Sequence, residues 1–190
     1  PSMEGLIIGL VVGGFIFLIF VIWFFSTWNR LVRLEENANK SWADIDVLLK
    51  QRYDMIPNLV NTVKGFAEQE KEVLTEVTAL RSQWARAGSV AEKAQAASGL
   101  EAALGRLMVI SERYPYLKSN QNFLRLQDEL AGTENRVSVE RRRYNEAVWK
   151  YNITVRKLPG KIIANIAGFE ERDVYFEAAS GAETAPEVKF

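Results

Sequence analysis

The N-terminal part of the chain contains an uncharged apolar segment long enough to cross a lipid bilayer. No ionisable side chain occurs from Gly5 to Asn29, and the stretch from Leu6 to Trp28 is almost wholly apolar. At about 1.5 Å rise per residue, a helix of this length spans roughly 35 Å, which exceeds the roughly 30 Å of a bilayer's hydrocarbon core. The sequence therefore predicts a membrane-spanning helix.

A secretory signal peptide is the alternative interpretation of this segment. Signal peptides carry positive charge ahead of a shorter apolar core and end in small residues at the cleavage site. Here Glu4 is the only charged side chain ahead of the span, and residues 24–28 read FFSTW, which is too bulky for cleavage. A retained anchor is therefore favoured.

The C-terminal end of the span has the residues of a membrane–water interface. Trp23 and Trp28 are amphipathic aromatics that favour the headgroup level, and Arg30 and Arg33 follow at once. No Lys or Arg lies on the other side of the span. The positive-inside bias predicts that the N-terminus lies outside and that the bulk of the chain lies in the cytoplasm.

Three glycines recur every four residues along the span, at Gly5, Gly9 and Gly13. They share one helix face, where small residues let a second helix approach closely, as in GxxxG pairing. The alternative is that glycine is simply common in membrane helices. No charged side chain lies mid-membrane, which argues against transport of ions or protons by this helix.

Composition excludes several kinds of chemistry. The chain has no Cys and no His, so disulfides, thiolate sites, Ser-His-Asp triads, ordinary zinc sites and Glu-x-x-His di-iron bundles are absent. Lys plus Arg and Asp plus Glu are equal at 24 each, which gives no general affinity for nucleic acid. No Walker A, GxGxxG or GxSxG motif occurs. We expect no enzyme activity, no cofactor, no metal, no nucleic acid and no small-molecule substrate.

Paired carboxylates are the remaining catalytic option. Acidic residues alternate with Lys50, Arg52, Lys64 and Lys71, which is typical of a solvated helix face. We therefore expect these acids to be surface charges. They are Asp44, Asp46, Asp54, Glu68, Glu70, Glu72 and Glu76.

Apolar residues at steps of three and four predict an all-α fold. No Pro or Gly interrupts the chain between Gly14 and Pro57, so the anchor is expected to continue into the first bundle helix. We predict an N-terminal transmembrane helix that continues into an antiparallel bundle of three to four long helices, with coiled-coil-like spacing in the last. The expected domains are the anchor at 1–29, the bundle at 30–168 and an extended acidic tail at 169–190.

Pro, Gly and capping residues predict the helix ends. The second helix is expected to run from Pro57 to the turn at 87–89, where Ser89 and Glu92 have the spacing of a capping box. Ser119 is the expected N-cap of a fourth helix of nearly 40 residues that ends at Pro159. A short extra turn is expected at 161–167.

Arg141, Arg142 and Arg143 form the one basic run. Because three successive helical residues spread over about 200° of the surface, they cannot form one flat patch. We consider this run a contact for anionic lipid or an acidic partner. Pairing with Glu140 and Glu146 is the alternative.

Several segments together resemble the LemA family. Residues 52–60 read RYDMIPNLV, 103–107 read ALGRL, 114–118 read YPYLK, and 122–130 read NFLRLQDEL. The match extends through 132–136 to YFEA at 175–178. The resemblance implies a single-pass bacterial membrane protein, here of the cytoplasmic (inner) membrane, with a helical domain. Relatives have been linked to membrane-compartment formation, envelope stress and neighbouring membrane proteases, and the family has no assigned catalytic residues.

The polar residues in these segments are expected to fix helix register by hydrogen bonding, with a ligand site as the alternative. They are Asn58, Asn61, Gln127, Asn135, Asn145 and Asn152.

Two functions then compete. The first is a scaffold anchored in the lipid bilayer that self-assembles as a homo-oligomer and shapes or organises the membrane. The second is an adaptor or regulator of another membrane protein, such as a protease or stress sensor. An enzyme that works through carboxylates ranks behind both.

Overall fold

The protein is described by a computed structural model of residues 3–176. These residues form helices and contain no strand, which confirms the predicted all-α fold. The helices are α1 (Met3–Tyr53), α2 (Ile56–Lys64), α3 (Lys71–Arg86), α4 (Val90–Ser111), α5 (Pro115–Lys118), α6 (Gln121–Arg156) and α7 (Gly160–Ala167).

Helix α1 is 51 residues long and begins in the apolar segment. It confirms that the anchor and the first bundle helix are one continuous helix, as the absence of Pro and Gly between Gly14 and Pro57 predicts. The apolar part is long and apolar enough to span a membrane, and its most apolar window is not buried within the chain. Large apolar side chains such as Leu10 and Phe17 are about two-thirds exposed. A continuous apolar surface of this size requires a nonaqueous covering.

The prediction of one helix from Pro57 to residue 87 was wrong. Helix α2 ends at Lys64, and residues 65–70 form turns before α3. The N–H of Gly65 donates to Asn61 O, and the N–H of Ala67 donates to Val63 O. Carbonyl groups in the last turn of α2 are thus bonded to the residues that follow it. The Ala67 side chain is fully buried. Burying Ala67 redirects the chain, an effect that helical periodicity does not report.

Side chains cap two helices, only one of them as predicted. The Ser89–Glu92 capping box is confirmed: Glu92 N donates to Ser89 Oγ at 3.1 Å, and Ser89 N donates to Glu92 Oε2 at 3.3 Å. Ser119 is not the cap of α6. Asn120 Oδ1 accepts from Phe123 N at 3.1 Å, one residue later. Both residue types are good caps, so composition did not distinguish them.

The chain divides into two compact units. Among the described residues, unit 1 comprises 3–41 and 144–173, and unit 2 comprises 42–143 and 174–176. The predicted boundary at 29 separates the anchor from the bundle, and the one at 168 separates the bundle from the tail. Both remain predictions. Residues 169–176 lie outside the helices, and 177–190 of the predicted tail lie outside the described residues, so the extended tail remains a prediction.

Each unit has a core of its own. In unit 1, Leu31 packs with residues of α6 and α7, and four partly buried side chains pack against this cluster: Phe24, Trp28, Leu34 and Phe169. In unit 2, α3 packs against both α2 and α4. Tyr53 is fully buried there and meets Trp84 edge to face, with ring centroids 5.0 Å apart.

Candidate functional site

The glycine face of the span is uncovered by the described part of the chain, residues 3–176. A Cβ added at Gly9 or Gly13 would have no heavy atom within 4 Å apart from the helix backbone and chain neighbours. Gly5 lies on the same exposed face of α1. The face therefore has room for the close approach of a second helix. Assembly through these three glycines remains a prediction.

The predicted interface residues lie in the last turns of the span and just beyond it. Trp23 and Trp28 are partly buried, whereas Arg30 and Arg33 are exposed. The Trp28 ring meets Phe169 edge to face at 6.0 Å between centroids. One interface tryptophan is therefore also part of the unit 1 core. The membrane-interface role of these four residues remains a prediction.

Side chains of α6 hold the segment that follows α7. Tyr151 Oη donates to Glu170 O at 2.8 Å. The Asn152 amide donates to Arg172 O at 2.8 Å and accepts from Arg172 N at 2.9 Å. Asn152 thus pairs with the backbone of Arg172 in both directions. Of the amides expected to fix helix register, Asn152 instead holds the non-helical segment after α7 against α6.

Unit 2 contains a buried polar group that we call the Arg52 network, made of Arg52, Tyr53, Glu101, Thr133 and Glu134. The guanidinium of Arg52 binds Glu101 through two hydrogen bonds, Nε to Oε1 at 3.0 Å and Nη2 to Oε2 at 2.8 Å. Its Nη1 donates to Leu130 O and to Thr133 Oγ1. Its Nη2 also lies 2.9 Å from Glu134 Oε2. One side chain of α1 thereby joins α4 and α6 within unit 2.

Burial shifts the acid–base behaviour of the Arg52 network. Desolvation, followed by the charge of Glu101, raises the pKa of Glu134, and the guanidinium of Arg52 opposes the rise. Burial and the neighbouring Glu101 also raise the pKa of Tyr53, which stays protonated and donates to Glu101 Oε1 at 3.0 Å. Two carboxylates thus share one buried cation. This arrangement suits a structural contact that fixes α1, α4 and α6 relative to one another within unit 2.

The expectation that Arg52 lies on a solvated face was wrong. Arg52 is only 7% exposed. Its partners, Glu101 and Glu134, were not singled out as candidates, although Arg52 and Glu134 both fall in segments that resemble the family. Charge alternation along one helix cannot reveal partners 49 and 82 residues away, because those contacts exist only after the helices pack.

The acids that the sequence singled out are not part of the Arg52 network, and several of them lie in separate contacts. Asp46 binds Lys93 at 2.7 Å, and Asp54 lies 3.7 Å from Arg81. Glu70 accepts a hydrogen bond from Tyr114 Oη at 2.8 Å. Among residues 3–176, no group of three or more acidic side chains is arranged to hold a metal ion.

The structure separates the three arginines of the basic run. The guanidinium carbon of Arg141 lies 5.1 Å from the ring centroid of Phe176. Arg143 pairs with Glu140 at 2.6 Å, which bears out half of the alternative, because Glu146 pairs with Lys150. Arg142 is exposed. The Phe176 ring also stacks on Trp42, with centroids 5.7 Å apart. Arg141 therefore contacts the C-terminal segment, and a lipid or partner contact of the run remains a prediction.

Comparison with known proteins agrees with these features. Residues 41–190 match the model of the LemA family. The chain is 24% identical to magnetosome protein MamQ 2 of Paramagnetospirillum magneticum (strain AMB-1), an alignment covering 85% of this chain and 69% of that protein. Magnetosome protein MamQ of Magnetospirillum gryphiswaldense (strain MSR-1) matches with the same identity and coverage. The family and these relatives point to a membrane-associated, non-enzymatic protein. Since the family model covers most of the sequence, the chain belongs to the LemA family.

Proposed function

We propose that this protein is a non-enzymatic scaffold of the bacterial inner membrane that assembles into homo-oligomers through its membrane span. The observation that carries the proposal is the open glycine face of α1. Within residues 3–176, nothing packs on Gly9 and Gly13. Most other positions of the span carry bulky apolar side chains. A second copy presenting the same face is the simplest partner, since like glycine faces allow close backbone approach.

The continuity of α1 supports a structural role. The span and residues 30–41 belong to the same helix and the same compact unit, without a flexible linker. Contacts between spans would therefore restrict the positions of the attached parts of unit 1. This coupling suits a protein that organises a membrane by repeating one geometry.

The proposed topology follows from charge. Arg30 and Arg33 follow the span, and Glu4 precedes it. The positive-inside rule then favours an outside N-terminus and a cytoplasmic helical domain. The MamQ relatives are named magnetosome proteins, which supports a membrane setting for the chain.

Cysteine crosslinking tests the proposal directly because the chain contains no Cys. Gly9→Cys and Gly13→Cys variants of the full chain should form disulfide-linked dimers in membranes under mild oxidation. Val11→Cys is the matched control, since it lies on the opposite side of the same helix, about 200° from Gly9. We expect crosslinks at the glycines and not at Val11.

A second measurement separates assembly from accidental contact. The double variant Gly9→Leu/Gly13→Leu should reduce the particle mass measured by light scattering of detergent-extracted protein, whereas Val11→Phe should not. A monomer at micromolar concentration for the unaltered chain would refute self-assembly. Crosslinks from Gly9→Cys to a different membrane protein, without self-crosslinks, would favour the adaptor alternative.

A further inference from the structure

The turn between α6 and α7 lies beside the end of the membrane span. A cavity of about 310 Å³ is lined by Ser26, Thr27 and Arg30 of α1, and by residues 153–154 of α6 and 157–160 of the turn and the start of α7. The apolar part of α1 ends at Trp28. The α6–α7 turn of unit 1 is therefore at the level where the span leaves the hydrocarbon.

Helix α7 packs against the last turns of that span. Its inner face, with Ile163 and Ala164 fully buried, belongs to the unit 1 core. Phe24 and Trp28 of α1 pack against the same core. Since Phe24 lies inside the apolar segment, α7 sits at the depth of the predicted membrane interface.

The end of α7 keeps it in this position. Gly168 has a left-handed backbone with φ of 76°, and its N–H donates to Ala164 O at 2.9 Å. Phe169 N donates to the same oxygen at 3.0 Å, and its ring then reaches Trp28. The helix is thus held at its C-terminal end by contacts within unit 1.

The outer face of α7 and its preceding turn form an apolar stripe at residues 158, 162 and 166. Leu158 is 72% exposed, Ile162 49% and Ile166 67%. These residues recur every four positions. Ile162 and Ile166 each lie about 200° around α7 from buried Ala164, and Leu158 lies just before the helix. Within residues 3–176, this stripe is left exposed, as is the adjoining apolar surface of the span.

The charges around the stripe are positive. The sequence from 147 to 169 contains no acidic residue and four basic ones, Lys150, Arg156, Lys157 and Lys161, of which Lys150 pairs with Glu146. Arg156 pairs with Glu171 at 3.1 Å. Within residues 3–176, Lys157, Lys161 and Arg30 form no salt bridge, and all three are exposed. Cations beside an exposed apolar face are typical of a helix that lies in an anionic lipid interface.

We propose that α7 is an interfacial membrane helix, a second bilayer contact of this chain besides its span. Leu158, Ile162 and Ile166 insert into the boundary between headgroups and acyl chains. They do so in the leaflet that surrounds the C-terminal end of the span. Lys157, Lys161 and Arg30 meet the phosphates of anionic lipids at the mouth of the cavity. This inference goes beyond the proposed function: it requires that α1 crosses the bilayer and does not require self-assembly.

Site-specific fluorescence tests the depth of α7. Single-cysteine variants Ile162→Cys and Ile166→Cys of the full chain are labelled with an environment-sensitive dye and placed, one copy per particle, in nanodiscs. The lipid is phosphatidylglycerol and phosphatidylcholine, with or without a doxyl quencher near the headgroup end of the acyl chain. The matched control is Glu146→Cys, which is also exposed on unit 1 but lies on α6 about 16 Å from Lys157 along the helix axis.

We expect blue-shifted emission at Ile162 and Ile166 that falls as the doxyl fraction rises, and unquenched emission at Glu146. The double variant Lys157→Gln/Lys161→Gln should weaken this quenching, and so should removal of phosphatidylglycerol. Equal, unquenched emission at all three sites would overturn the proposal. The proposal would also be overturned if the emission at Ile162→Cys were blue-shifted only in nanodiscs that hold several copies and were not quenched by doxyl lipid. That result would show that a second copy covers the stripe.

Discussion

Replacing Arg52 with Met should destabilise unit 2 strongly, because it removes a buried cation and leaves its acidic partners behind. The guanidinium makes two hydrogen bonds to Glu101, lies 2.9 Å from Glu134, and donates to Leu130 O and Thr133 Oγ1. Met preserves most of the stem's volume and removes all of these interactions. The variant therefore isolates the polar contribution of the side chain.

The magnitude follows from burial of the partners. Loss of one member of a fully buried ion pair costs about 3–5 kcal/mol. Here the side chains of Glu101 and Glu134 are 19% and 34% exposed, so water reaches them and reduces the loss. We expect a loss of about 3 kcal/mol, equivalent to a fall of about 10 °C in Tm for a chain of this size. The matched control is Lys50→Met on the same helix, an exposed position where we expect a change within about 0.5 kcal/mol.

The loss should also depend on pH. The pKa of Glu134 is already raised in the folded protein, and removing Arg52 raises it further because the opposing positive charge is gone. A folded carboxyl with a raised pKa holds its proton more tightly than the unfolded one, whose pKa is about 4.3. Stability therefore falls as pH rises from the unfolded pKa through the raised folded pKa. The deficit of Arg52→Met should be smaller at pH 5 than at pH 8.

Thermal and urea unfolding of the full chain in detergent, followed by tryptophan fluorescence, measures these differences. Trp84 lies against Tyr53 and reports on unit 2. The triple variant Arg52→Met/Glu101→Gln/Glu134→Gln should recover much of the loss, because no buried charge is left unpaired. A loss in Arg52→Met that matches Lys50→Met, or that is the same at pH 5 and pH 8, would refute the reasoning.

Two further predictions concern residues of unit 1, the first with a comparison site in unit 2. Gly160→Ala should destabilise the protein by about 2 kcal/mol in thermal unfolding, because its Cβ would overlap a backbone carbonyl in the last turn of α6. Gly105→Ala should stabilise the protein by about 0.5–1 kcal/mol, since that helical site is open. Equal effects would contradict the geometry. Asn152→Asp should increase amide hydrogen exchange in residues 169–173, because the donor to Arg172 O is lost at a local cost of about 1–3 kcal/mol. Asn165→Asp, at an exposed site, should leave that exchange unchanged.

Much of the candidate membrane region could be predicted from the sequence. The span, its interface tryptophans, its glycine face and the short helix at 161–167 are recognisable because each depends on residues close together in the chain. The apolar stripe of α7 was not recognised, although Leu158, Ile162 and Ile166 recur every four residues. Periodicity alone does not say which apolar residues the rest of the chain covers.

The sequence by itself determined the helical class, the continuity of α1 and the capping box at Ser89, since backbone hydrogen bonding and capping act over a few residues. Tertiary structure decided the rest. The predicted second helix is interrupted where Ala67 is buried. Arg52 lies in the interior between two acids, and Asn152 binds the backbone of Arg172, 20 residues away. These outcomes depend on which surfaces meet when helices pack, and no local pattern records the partner of a side chain 49 or 82 residues away.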